Sequence, residues 1–435
     1  MNPITVGILG SILLVFLLFL GMPIAFVMML VGFLGIGCLT SINAALPVIA
    51  NTVYETASFY PYTIIPLFIL MGGFAGNAGI TRELYQTFDK WFRRLPGGLG
   101  IATIVSCAFF AALSGSSVAA SAAMGNIAIP EMRRFKYAPK LAVGTVAAGG
   151  TLSFLIPPSL GFVVYGMLTE QSIGKLLISG IIPGILLSLA FIAIIVFQVK
   201  MDPSLAPTNL EEVSFREKLL ALKGIWETVL VFLIVMGGIY LGFINPTEAG
   251  AIGASALFII ILLKRRLTLQ NLSSSLFEAA RISVLVLFLV AGASVFSYFL
   301  ALSTIPMAVS SWMAGLEVSR YVILAIIILI YMILGCFLDA ISMMVLTMPV
   351  IFPVVKTLGF DPIWFGVVCV IMMEAGLITP PVGLNVYTLA GVVKDVPMQT
   401  IFRGAAPFLL SMIAVVILIT IFPKIALFLP NMMGR

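Results

Sequence analysis

Histidine is absent from all 435 residues. Its absence removes Ser-His and Cys-His nucleophile pairs, HExxH zinc sites and histidine ligation of haem. Charge is scarce as well. Asp, Glu, Lys and Arg make up 9% of the chain, and none occurs before Glu55. A cleaved signal peptide begins with a basic segment, which Met1-Asn2-Pro3 does not supply, so the N-terminus reads as retained. The four cysteines, Cys38, Cys107, Cys336 and Cys369, form no CxxC pair and lie in apolar stretches, where they read as small buried side chains. No Walker motif or other nucleotide loop occurs, so energy for any work must come from an ion gradient or another subunit. What is plentiful is apolar: 61% of residues are hydrophobic and the mean hydropathy is +1.21. A water-soluble fold cannot hide that much apolar surface, so the solvent is a bilayer and the chain reads as all-α and polytopic.

A crossing helix needs about 20 apolar residues. Spans are expected at 4–20, 23–39, 61–79, 141–168, 176–199, 224–243, 246–263, 282–301, 362–391 and 404–422. Basic residues set the sides. Arg82, Lys90, Arg93 and Arg94 precede the apolar stretch 98–130, and Arg133, Arg134, Lys136 and Lys140 follow it. Both flanks are therefore cytoplasmic, and 98–130 is a re-entrant hairpin with its turn at Ser114-Gly115-Ser116-Ser117. Such a turn survives at membrane depth only where protein or a water-filled cavity satisfies its backbone. Continued to the end, this alternation leaves outside only Lys175, Arg320, Lys356, Lys424 and Arg435 of the 23 basic residues. Both termini then lie outside. The turn at Gly21-Met22-Pro23 is short and uncharged, and a single long helix there would reverse the N-terminus. Residues 201–223 read as a cytoplasmic linker: Asn209-Leu210-Glu211-Glu212, then Phe215, Leu219, Leu220 and Leu222 at the spacing of an amphipathic surface helix. The +6 net charge, placed this way, orients a membrane protein and does not indicate a nucleic-acid partner.

The sequence also repeats. A shift of about 223 residues brings Pro23 onto Pro246, Pro130 onto Pro353, Pro157-Pro158 onto Pro380-Pro381 and Pro183 close to Pro407. Residues 1–200 and 224–435 thus form two halves. Each has about five spans and one hairpin, at 98–130 and 321–355, and one broken helix, at 141–168 and 362–391. Five is odd, so the second half is expected to be inverted, with its hairpin opening to the opposite side. Inverted repeats with discontinuous helices are a recurrent plan of secondary transporters, with the site where the repeats meet.

The breaks carry the chemistry. Proline removes a backbone donor and frees a carbonyl one turn earlier. Freed carbonyls and half-helix C-termini suit Na⁺, and half-helix N-termini suit an anion. Intramembrane carboxylates are few. Asp339, at the second hairpin tip, either neutralises a cation or caps the following helix. Glu374 gates or supports the second broken helix. Glu248, after Asn245-Pro246, reads first as a helix cap and second as support.

Several stretches resemble the large membrane subunit of TRAP (tripartite ATP-independent periplasmic) transporters, within the ion transporter superfamily. They are Gly21-Met-Pro-Ile-Ala25, Ser114-Gly-Ser-Ser-Val-Ala-Ala-Ser-Ala-Ala-Met-Gly125, Gly335-Cys-Phe-Leu-Asp339 leading into Met348-Pro-Val-Ile-Phe-Pro353, and Glu374-Ala-Gly-Leu-Ile-Thr-Pro-Pro-Val-Gly-Leu-Asn385. The resemblance spans essentially the whole chain. It implies Na⁺-coupled uptake of an organic acid (a C4-dicarboxylate, sialic acid or similar carboxylate) across the bacterial inner membrane by an elevator motion of a transport domain against a scaffold. It further implies a periplasmic substrate-binding protein, a separate small four-helix membrane subunit, and no cofactor beyond Na⁺ as coupling ion. Carried onto this chain, Na⁺ ligands come from Ser114, Gly115, Ser116 and Ser117 with Pro157, Ser159 and Gly161, and from Asp339, Ala340 and Ser342 with Thr379, Pro380, Gly383 and Asn385. Ser116, Ser117 and Asn385 are expected to meet substrate. A one-component Na⁺/carboxylate symporter of the same superfamily shares this plan and stays open. An intramembrane enzyme using Ser116 or Ser117 lacks a base, and two opposed hairpins suit alternating access better than an open channel.

Overall fold

The computed structural model describes residues 2–207, 213–315 and 318–433. Asn209–Glu212 of the linker and Arg435 lie outside the described residues. Every regular element among the described residues is helical.

The chain opens with α1 (Pro3–Phe19) and α2 (Ile24–Leu39), separated at Gly21, whose φ of 83° ends the first helix. The uncharged turn is therefore real, and two helices pack side by side rather than one long one. Next come α3 (Ile42–Ser58) and, after a 3₁₀ turn, α4 (Ile64–Asn77), bent by 55° from it. The sequence reading has nothing at α3. Asn43, Pro47, Asn51 and Glu55 dilute its apolar signal. Short α5 (Ile80–Phe92) leads to α6 (Gly98–Ser114) and α7 (Ser117–Arg134), which fold back on each other over two residues as the first hairpin. The first broken helix is α8 (Pro139–Leu155) and α9 (Leu160–Thr169), bent by 42°. Then follow α10 (Ile173–Ser179), α11 (Ile181–Met201) and α12 (Phe215–Ala221).

The second half runs α13 (Trp226–Tyr240), α14 (Pro246–Leu263), the 35-residue α15 (Leu269–Ser303) and α16 (Ile305–Ala314). The second hairpin is α17 (Arg320–Gly335) and α18 (Ala340–Thr357). The second broken helix is α19 (Pro362–Gly376) and α20 (Leu384–Val392). The chain closes with α21 (Met398–Ile421) and α22 (Lys424–Met432). The expected span 282–301 is only the C-terminal part of α15. The first hairpin arms, α6 and α17, have 17 and 16 residues, short of the about 20 that a full crossing needs.

Halves interleave rather than sit apart. Helix α2 packs on α15, α4 on α14, α8 on α21 and α7 on α20. Glycine permits the closest of these. A Cβ on Gly144 of α8 would lie 2.3 Å from the backbone of Gly404 of α21, and one on Gly292 of α15 would lie 2.6 Å from Ala25 O of α2. The linker helix α12 rests on α5: Trp91 Nε1–H donates to Lys218 O at 3.0 Å and Thr87 Oγ1–H to Ala221 O at 2.8 Å. Its Phe215, Leu219 and Leu220 stay exposed, as a surface helix at a lipid interface requires. Cys107, Cys336 and Cys369 are buried as expected, but Cys38 is exposed. It sits near the end of α2, beside a shallow pocket between α2 and Val6, Leu9 and Leu13 of α1.

Candidate functional site

Each hairpin tip sits on a break. In the first, Gly115 adopts φ +60°, and a Cβ there would stand 3.1 Å from Pro158 O. Glycine both makes the turn and lets the tip settle on the first broken helix. Ser116 caps α7, its Oγ accepting Ala119 N–H at 3.4 Å, while Ser114 Oγ meets both the N–H and the carbonyl of Ser116 at 3.4 Å. The partner segment Pro157–Ser159 is buried throughout. Pro158 cannot donate to Phe154 O, and Ser159 Oγ–H donates to that freed carbonyl instead. Ser159 Oγ also caps α9 through Phe162 N–H at 3.4 Å. Gly161 is buried, with Val370 of α19 at 3.3 Å from where its Cβ would stand.

The second pair repeats the contact with other atoms. Val382 N–H, within the break, donates to Cys336 O at the hairpin tip at 3.3 Å. Gly335 and Gly376 meet backbone to backbone: a Cβ on Gly376 would lie 2.5 Å from Gly335 Cα. Pro381 leaves Leu377 O free, and Asn385 N–H takes it at 3.1 Å. Thr379 Oγ1–H donates to Ala375 O at 2.7 Å, and Gly383 takes φ +55° beside Thr379 O. Asp339 is the N-cap of α18, accepting Ser342 N–H at 3.0 Å, with Ala340 and Ser342 buried behind it. Unlike the first break, Pro380, Pro381 and Val382 reach the protein surface. A proline-interrupted backbone cannot face lipid, so that surface faces water or another chain.

Two hydrogen bonds tie the assemblies together: Tyr165 Oη–H of α9 donates to Pro362 O of α19 at 2.7 Å, and the other is between side chains. Ser117 Oγ–H at the start of α7 donates to Glu374 Oε2 near the end of α19 at 2.6 Å, and Glu374 is only 1% exposed. Beneath it α7 lies hard against α8, since a Cβ on Gly150 would lie 3.1 Å from Ser117 O. Among the described residues, Glu374 Oε1, Ser121 Oγ, Ser153 Oγ and both amide atoms of Asn385 are buried without a hydrogen-bond partner. Buried polar atoms without partners are costly and mark a place where a ligand supplies what the protein does not. Ser117→Ala is expected to destabilise the detergent-solubilised chain by about 1–3 kcal/mol, the cost of leaving a buried polar group unsatisfied. Thermal unfolding checks this, and an unchanged midpoint would detach Ser117 from Glu374.

The remaining expected residues fall elsewhere. Glu248 accepts Asn245 N–H and Asn245 Oδ1 accepts Glu248 N–H, both at 2.8 Å, so Glu248 closes a capping box on α14. Sequence reasoning missed the Ser117–Glu374 bond, which joins residues far apart in the chain. It also missed Ser121 and Ser153, whose only signal is a hydroxyl on an otherwise small or apolar helix face. At the base of the first hairpin, Arg133 pairs with Asp395 at 2.9 Å. That hydrogen-bonded guanidinium holds the Asp395 carboxyl below its ordinary range.

Residues 11–425 match the family model described as tripartite ATP-independent periplasmic transporter, DctM component. A C4-dicarboxylate TRAP transporter large permease protein of Pseudomonas aeruginosa is 37% identical over 390 residues, covering 89% of this chain and 90% of that one. A sialic acid TRAP transporter large permease protein of Vibrio cholerae is 32% identical, with 96% of each chain covered. The crystal structure of the YdaH transporter of Alcanivorax borkumensis has a similar fold, with a TM-score of 0.64 at 14% identity over 89% of this chain and 90% of that one. Membrane helices, paired breaks and a family match over nearly the full length agree, and the chain belongs to the DctM family of large TRAP transporter permease components.

Proposed function

We propose that the chain is the transmembrane permease of a Na⁺-driven TRAP transporter that imports an organic acid by an elevator motion. The observation that carries this reading is the seating of each hairpin tip on a broken helix, Gly115 on Pro158 and Cys336 on Val382. Each junction gathers carbonyls, hydroxyls and helix ends, which are hard, neutral ligands for a cation stripped of part of its water. The Na⁺ sites are then Ser114–Ser117 with Pro157–Gly161, and Asp339–Ser342 with Thr379–Asn385. Substrate lies between them, at Ser116, Ser117 and the unpartnered amide of Asn385. The inverted repeat is supported by element boundaries: α7 and α18 start at Ser117 and Ala340, α8 and α19 at Pro139 and Pro362, each pair offset by about 223 positions. The unequal exposure of the two breaks is what one end of an alternating-access cycle presents.

The relatives' names extend the reading. The substrate is a carboxylate such as a C4-dicarboxylate or sialic acid, delivered by a periplasmic binding protein. A small four-helix subunit joins the scaffold in the bacterial inner membrane. Reconstitution with both partners tests this: uptake is expected to need a Na⁺ gradient and the binding protein. Uptake indifferent to Na⁺ sinks the coupling, and uptake of free acid without the binding protein favours the one-component symporter. Ser116→Ala and Thr379→Ala are each expected to weaken Na⁺ dependence about tenfold, the loss of one good ligand, with membrane insertion intact. Unchanged Na⁺ dependence in both moves the ion sites elsewhere.

A further inference from the structure

A second polar space lies away from the tips. A cavity of about 680 Å³ opens between the α4–α5 corner and the flank of α7. Its walls include Asn77, Thr81, Arg82 and Arg266 on one side and Ala123 and Asn126 on the other. Four observations make it a place for an anion. Helix α5 begins here at Gly79 with no side-chain cap; Arg82 and Glu83 N–H turn back to Gly79 O, and no side chain occupies the positive end of the helix dipole. Thr81 is 2% exposed, and its Oγ1 has no hydrogen-bond partner among the described residues. The Arg82 guanidinium makes no hydrogen bond or ion pair among the described residues. The one acid in the first turn, Glu83, is already engaged by Arg266 at 2.6 Å and Lys264 at 3.0 Å. Local charge therefore favours an anion, and uncapped helix N-termini take carboxylates and phosphates readily.

The face of α7 that lines the cavity runs on toward the tip. Ser116, Ala119, Ala123 and Asn126 recur at steps of three and four along α7, hence on one face, and none of them is buried. At 1.5 Å per residue the path from Ser116 to Asn126 is about 15 Å. The walls between are alanine, and the first polar station is Asn126 facing Arg82 and Thr81. By the placement of basic residues this end is cytoplasmic.

We propose that the α5 N-terminus, Thr81, Arg82 and Asn126 form a second carboxylate-binding site, a release station that receives the transported acid between the hairpin tip and the cytoplasm. The proposal rests on the organic-acid reading above. The test reads the site without transport. In a Cys38→Ser background, Gln86→Cys on the cavity wall is labelled with an impermeant maleimide in inside-out vesicles. Succinate is expected to slow labelling, with inorganic phosphate at equal ionic strength much weaker. Arg82→Gln raises the succinate concentration needed on the order of tenfold, the loss of one charge-assisted contact, Thr81→Val raises it less, and Arg82→Lys restores part of it. No protection by succinate, or protection unaltered in Arg82→Gln, overturns the site. Phosphate protecting as well as succinate overturns the carboxylate assignment in favour of a lipid or inorganic phosphate. Protection without uptake of any acid by the reconstituted transporter sinks the transport reading and leaves the site standing; uptake without protection does the reverse.

Discussion

Lys264→Met is expected to cost about 3–5 kcal/mol of folding stability, the penalty of leaving a buried charge without its partner. Glu227, in the first turn of α13, has no exposed surface, and its carboxylate pairs with Lys264 at the C-terminal end of α14. The same ammonium reaches Glu83 Oε2 of α5 at 3.0 Å, and Arg266 Nη1 takes the other Glu83 oxygen at 2.6 Å. Four charges thus fasten α5, α13 and α14 at one end of the bundle. Each carboxylate lies near a helix start and Lys264 at a helix end, so the dipoles add to the pairing. Methionine keeps the stem of the lysine and removes only the charge. The double variant Lys264→Met/Glu227→Gln is expected to recover most of the loss, because the uncompensated carboxylate is gone. Thermal unfolding in detergent measures both. A Lys264→Met protein as stable as wild type, or a double variant no better than the single, would show that Glu227 does not depend on this partner.

Gly376→Ala is expected to have the largest effect on transport. The added methyl would lie 2.5 Å from Gly335 Cα and 2.7 Å from Gly335 C, with no flexible side chain to yield. The second hairpin must then lift from α19, at a stability cost of about 1–3 kcal/mol for overpacking. It also opens the junction of Cys336 with Val382. Uptake by the reconstituted transporter is expected to fall at least about tenfold, equivalent to roughly 1.4 kcal/mol or more, with protein still in the membrane. Gly391→Ala is the control. It lies on α20 with nothing within 4 Å of its new methyl, and is expected to match wild type in both readouts. Normal uptake by Gly376→Ala would mean that the tip does not need its close seat.

Much of this was readable in the chain. Gly, Ser and Pro at membrane depth must be satisfied by protein, so Ser114–Ser117, Pro157-Pro158 and Pro380-Pro381 mark breaks in the sequence alone. The structure seats those breaks against the hairpin tips, as the repeat leads one to expect. Helix α3 escaped because Asn43, Pro47, Asn51 and Glu55, four apart on one face, make it amphipathic and break the continuous apolar run by which a span is recognised. The reach of α15 escaped because its first turns, from Leu269, are polar and lie outside the apolar window. Long-range pairs were illegible in principle. Nothing local to Ser117 names Glu374, and nothing local to Glu227 names Lys264; each follows only when the halves interleave. The capping box of Glu248 with Asn245 joins residues three apart and is local enough to be legible in the sequence.

The two breaks differ in one respect with a kinetic consequence. Pro157–Ser159 is enclosed, while Pro380–Val382 lies at the surface beside exposed Phe337 and Tyr387. A ligand at the open junction exchanges at the speed of diffusion and local hydration. One at the enclosed junction leaves only when helices part, on the slower clock of domain motion. On the proposal that each junction holds a ligand, loading in this conformation would be ordered in time even though the two junctions are built alike: the last ligand in at the open junction would be the first out, and the one at the enclosed junction would leave only with the next parting of the helices.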